Sequence, residues 1–164
     1  MKKIVSLTVI AASLWMSALQ PGQARPTRTH STSGSTTNSS ANGSRYRSSS
    51  SVTRTPFGAY GSGSTNYNGT HGGQASAQGA FSGTPVSGSA QGSASYSTPG
   101  GRSGSTTQSA GYKDGTVQDT GAWSRTNSSG QTVTGTDSAS YNKTKGGSAT
   151  FSNSNGQSKT VDLP

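Results

Sequence analysis

The string Arg45-Tyr46-Arg47, with Arg54 and Phe57 close behind, has the residue types and spacing best suited to a chemical task. Guanidinium groups attract phosphate and other anionic oxygens, and interleaved rings stack on bases or rest among lipid head groups. Arg45, Tyr46, Arg47 and Arg54 are therefore the candidate polyanion-binding residues. Without a scaffold to fix their geometry, that attraction is expected to be weak and sensitive to salt.

Other chemistry finds little to build on. His30 and His71 lie far apart in Ser/Gly-rich stretches, and the chain has no cysteine, so no zinc-like cluster is expected. Asp114, Asp119, Asp137 and Asp162 stand singly in turn-like contexts, which does not suit paired-carboxylate catalysis or a repeated calcium loop. Serine is abundant, but a nucleophilic serine needs a base held by a rigid, buried orienting group. The sequence leads us to expect no enzyme, no catalytic, cofactor-binding or metal-ligating residues, and no small-molecule substrate.

Whatever these residues do depends on the elements that carry them, beginning at the N-terminus. Met1-Lys2-Lys3 precedes an apolar run from Ile4 to Leu19, shorter than the ~20 residues a spanning helix requires. Pro21 and Gly22 interrupt it, and Gly22-Gln23-Ala24 sets small residues where a signal peptidase reads them. Residues 1–24 are thus expected to be a cleavable bacterial-type signal helix, cut between Ala24 and Arg25. The remainder is then exported, periplasmic or extracellular, with no stable membrane insertion after cleavage.

Residues 25–164 contain 31 Ser, 22 Thr and 23 Gly, but only nine Leu, Ile, Val and Phe. Ordering a residue costs roughly 1–2 kcal/mol of backbone entropy, and apolar burial returns only ~25 cal/mol per Å². With so few apolar side chains and no disulfides, the composition argues against a conventional hydrophobic core. It predicts a mostly disordered low-complexity Gly/Ser/Thr-rich chain after the signal helix.

Two regions are distinguishable within it. Residues 25–55 read as a disordered basic Ser/Thr/Arg-rich arm, with five arginines and no acid. Residues 56–164 read as a low-complexity repeat region, β-prone from about residue 110. Ser-Ala-Gln-Gly occurs at 76–79 and 89–92, and Asn-Ser-Ser-Gly-Gln at 127–131 returns as Asn-Ser-Asn-Gly-Gln at 153–157. Ala precedes an aromatic by two residues at Ala94/Tyr96, Ala110/Tyr112, Ala139/Tyr141 and Ala149/Phe151, which places both on one face of an extended strand. Gly-rich turn signals separate these segments. All-β hairpins or solenoid-like repeats toward the C-terminus are the ordered alternative, best supported around Gly130 and Asn155-Gly156.

Two functions fit. One is an exported non-enzymatic structural, surface or extracellular-matrix protein that self-associates through polar β-segments. The other is a disordered periplasmic or secreted binding protein that uses the basic arm on an anionic envelope polymer or a partner protein. The partners are then copies of the chain itself in the first reading and anionic envelope polymers or a partner protein in the second.

Overall fold

Glycine, serine and threonine are weak helix formers, and no stretch after the N-terminal apolar run repeats its apolar residues at a helical period. Thr-rich segments with side chains alternating between small apolar and hydroxyl suit the pleat of a strand instead. In the computed structural model, which describes residues 28–39 and 43–164, that preference extends from end to end. Ten strands follow one another: β1 His30–Ser39, β2 Arg45–Thr55, β3 Gly58–Asn68, β4 Gln74–Gly83, β5 Ser87–Ser97, β6 Ser103–Lys113, β7 Thr116–Thr126, β8 Thr132–Asn142, β9 Gly146–Asn153 and β10 Ser158–Leu163. They form one antiparallel meander in chain order, each strand paired only with its sequence neighbours. Every pairing is a hairpin.

This corrects the expectation of disorder. The supposed basic arm forms β1 and β2, and β-structure begins at His30 rather than near residue 110. The signal helix and its cleavage point, Ala24 and Arg25, lie outside the described residues. Order arises without a core because closing a short loop costs little, and each closure is followed by about ten residues of backbone pairing. Backbone pairing, which apolar burial leaves uncounted, offsets the entropy of ordering the strands.

The loops fall into two sets. At one end of the sheet, loops 69–73, 98–102, 127–131 and 153–157 share one closure. The first residue's N–H donates to the fifth residue's carbonyl at 2.7–3.0 Å, and the fourth residue's N–H donates back to the first carbonyl at 3.0–3.1 Å. The fourth residue is always glycine with φ between +76° and +82° (Gly72, Gly101, Gly130, Gly156), in the left-handed region glycine enters without strain. Gly43 has the same φ of +82° between β1 and β2. At the other end the connections are tighter: Asp114-Gly115 has φ of 50° and 77°, the type I′ geometry that matches strand twist. Thr55 and Thr84 each cap a Thr-Pro turn, their hydroxyls accepting from backbone N–H groups two and three residues on.

The loop glycines Gly43, Gly72, Gly101 and Gly130 stand 29 residues apart, and Gly156 follows after 26. The architecture is therefore a tandem array of hairpins, a quasi-one-dimensional sheet in which each unit touches only its neighbours.

Candidate assembly surface

Because the registers run without interruption, the residues sort onto two faces. One face takes the central row Gly34, Ser50, Gly63, Gly79, Gly92, Gln108, Gly121, Asp137, Phe151 and Lys159, each opposite the next. Stepping two residues along each strand from this row brings in Ala77, Ala90, Ala94, Ala110, Ala139 and Ala149, with Val52 and Val161. The same face carries Tyr46, Tyr67, Phe81, Tyr96, Tyr112, Trp123 and Tyr141. The Ala/aromatic pairs of the sequence all lie here, as their spacing of two requires.

The opposite face is almost entirely hydroxyl and amide. Its cross-strand neighbours hydrogen-bond to one another: Ser49 with Ser64 at 3.0 Å, Ser76 with Ser95 and Ser105 with Ser124 at 2.9 Å, Thr136 with Ser152 at 2.9 Å, and Thr150 with Thr160 at 3.0 Å. Such pairs contribute about 0.2–1 kcal/mol each over Ala–Ala. A shallow open trough crosses this face, lined by Ser33, Ser51, Gln78, Gln91, Thr107 and Ser109 among others. Tyr60 is the only strand aromatic on this side, and it is exposed.

On the aromatic face, each of five rings stands directly opposite a glycine: Phe81/Gly61, Tyr96/Gly104, Tyr112/Gly88, Trp123/Gly135 and Tyr141/Gly147. A Cβ added to Gly61 would stand 2.7 Å from Phe81 Cε1, and one on Gly104 would stand 2.6 Å from Tyr96 Cε1. A Cβ on Gly88 would meet Tyr112 at 2.5 Å, and one on Gly135 would strike three atoms of the Trp123 indole at once. Four of these rings, Phe81, Tyr96, Tyr112 and Trp123, therefore lean across the bare backbone of the neighbouring strand, which shields those glycines from water. Phe81, at 5% exposure, is the only buried hydrophobic among the described residues, whereas Trp123 is 37% and Phe151 55% exposed. The Tyr112 hydroxyl reaches the Thr84 carbonyl and pins the β4–β5 turn, and burial raises its pKa.

Two carboxylates interrupt this face. Asp137 lies over Gly121, where an added Cβ would come 2.5 Å from its Oδ1. Its neighbour Asp119 accepts a 2.7 Å hydrogen bond from Gln108 Nε2. Burial, and then the charge of Asp119, raises the pKa of Asp137. No group of three or more His, Cys, Asp or Glu with metal-binding geometry occurs among the described residues.

The sequence-derived polyanion set is divided by this arrangement. Arg45 and Arg47 share the hydroxyl face at the long-loop end of β2, and Tyr46 between them points to the aromatic face. Arg54 lies at the other end of β2, also on the aromatic side. Arg45 and Arg47 alone remain neighbours. His30 opens β1, and His71 sits in loop 69–73 with Nδ1 3.2 Å from Thr70 Oγ1.

The ring-on-glycine pairing escaped sequence reasoning because each glycine lies on a different strand from its ring, at a separation that varies from pair to pair. The 29-residue spacing was available, both in the loop glycines and in the Thr-Pro pairs at 55–56 and 84–85, but the 13-residue echo of Ser-Ala-Gln-Gly obscured it. No protein-family model, no curated protein and no solved structure matches this chain.

Proposed function

We propose that the chain is an exported structural protein of the cell surface or extracellular matrix, whose copies associate through their sheets. The observation that carries this reading is that the described residues form an open single-layer sheet whose two edge strands, β1 and β10, each pair on one side only. A strand edge presents a row of free N–H and C=O groups, a template for another chain. Strand β1 is ten residues long and contains neither proline nor lysine, the residues that usually blunt an edge. Its partner in this reading is the far edge, β10, of another copy, which would extend the sheet by the polar backbone pairing that holds it together.

The test is sedimentation of the purified chain over a range of concentrations, with far-UV circular dichroism on the same samples. Assembly predicts a β spectrum at every concentration and mass that grows with concentration. Proline at Ser35 or at the next position, Thr36, removes an outward N–H in at least one of the two variants and is expected to stop growth by this route. A β-rich chain that stays monomeric at every concentration would overturn the reading. Recovery of the chain in the cytoplasm of producing cells would overturn its export.

A further inference from the structure

We propose that the aromatic–glycine face packs against the same face of a second copy, giving a two-layer β-sandwich dimer. This rests on the self-association reading above and names a surface that the edge contact leaves open.

Area supports a second copy as the occupant. Ten strands at about 4.8 Å spacing, each near 3.3 Å per residue over 11 residues at most, make a face of roughly 1,600 Å². Full overlap would withdraw about that area from each copy, well above the ~800 Å² per partner of a standard stable interface. Half overlap would still suffice.

Shape supports it too. Rings that lean over glycines do not stand up as ridges, and the centre of the face is paved with glycine and alanine (Gly63, Gly79, Gly92, Ala90, Ala110). Two such faces can approach to the ~10 Å separation of packed sheets, with the exposed Phe151 of one copy entering the shallow glycine rows of the other and the outer face of the Trp123 ring covered by them. A two-fold axis makes the contact isologous, so one surface serves both sides and the assembly closes at two.

The face also carries both signs of charge. Asp119 and Asp137 lie on β7 and β8, and Lys159, Arg125 and Arg54 lie on β10, β7 and β2. A two-fold pairing has cations of each copy available for the acids of the other. The hydroxyl face offers no comparable gain, since its side chains already bond to one another and to water.

The experiment is sedimentation velocity on the purified chain and two sets of lysine variants, with circular dichroism as the check on folding. Ala90→Lys and Ala110→Lys put a long charged side chain on the aromatic face; Ser93→Lys and Ser138→Lys put it on the hydroxyl face. At the lowest concentrations, before edge growth sets in, the expected result is a dimer for the native chain and the hydroxyl-face variants, and at least a tenfold weaker dimer for the aromatic-face variants with an unchanged β spectrum. A measurement on the otherwise native chain covers the case in which an aromatic-face variant fails to fold. In a Trp15→Phe background, Trp123 emission should shift to the blue and acrylamide quenching should fall as the dimer forms. If association persists in the aromatic-face variants and is abolished only by proline in β1, face pairing is overturned and edge assembly stands. Trp123 equally quenched at all concentrations, in a chain that sediments as a dimer, overturns it as well. A chain monomeric throughout overturns both.

Discussion

Individual residues in this sheet matter through what stands across the strand from them. Gly61 sits beneath Phe81, with the Ser51 carbonyl 2.6 Å from the position of an added Cβ, so Gly61→Ala must move backbone as well as ring. It is expected to cost about 1–3 kcal/mol, as overpacking does elsewhere. Gly34 occupies a strand interior with open space around it, and Gly34→Ala should be neutral or stabilise by about 0.5 kcal/mol through the unfolded chain. Urea denaturation of the two variants checks the contrast, and equal effects would refute the ring-on-glycine account. Asp137 provides a pH test. Its carboxyl faces Asp119 from β7, while β9 offers only Phe151 and the cation Lys159 lies in the same row on β10. A raised carboxyl holds its proton more tightly in the folded sheet than in the unfolded chain. The ionised form therefore weakens the sheet above the folded pKa, and the penalty vanishes below the unfolded value of about 3.9. Asp137→Asn should raise the melting temperature at pH 7, and the gain should disappear by about pH 3.

At the scale of elements, the long loops are the repeating device. Asn127 Oδ1 accepts from the N–H groups of Ser129 and Gln131 at 3.0 and 2.9 Å, and Asn153 repeats this with Asn155 and Gln157 at 3.0 and 3.2 Å. The repeated Asn-Ser-x-Gly-Gln string was legible in the sequence as a turn because asparagine folds its side chain back on the following backbone. The hairpins it joins, β7–β8 and β9–β10, were legible with it. Replacing Gly130, at φ +82°, by valine should cost about 1–2 kcal/mol and loosen β7 from β8. Hydrogen exchange would register this as faster exchange in those two strands, while β1–β4 keep their protection. Strands β1 to β4 were far less legible. Their sequences carry few β-branched apolar residues, and their order comes from being zipped onto neighbours.

At the scale of the whole molecule, a sheet with no second layer among the described residues distributes its stability along one axis. Each strand is held by two neighbours except β1 and β10, which have one. Amide protection should therefore be greatest in β4–β7 and decline toward both edges, where opening is cheapest. A uniform profile would contradict nearest-neighbour stability. Removing one complete unit, residues 69–97, joins β3 to β6 through an equivalent five-residue loop and preserves which side chains share a face. The shortened chain should fold with the same β spectrum and a smaller denaturant slope, since less surface is exposed on unfolding. Loss of all β signal would show that the array is not modular.

The sequence by itself determined the local grammar of this protein. Glycine at the fourth loop position, Asp-Gly and Thr-Pro at the tight turns, and alternation of small apolar with hydroxyl residues follow from backbone sterics and the two-residue period of a strand. The lack of a conventional core was equally plain from composition. Only the tertiary structure decided that these pieces pair in one register from His30 to Leu163, which turns scattered rings and glycines into a single face. The physical reason is that register is a property of pairs of strands. A ring covers a glycine only after the chain between them has closed a hairpin, and the two-residue alternation in either strand alone does not say which residue lies opposite. The arginines show the same limit: adjacent in sequence, Arg45-Tyr46-Arg47 is split between two faces by the pleat, and Arg54 is carried to the far end of its strand.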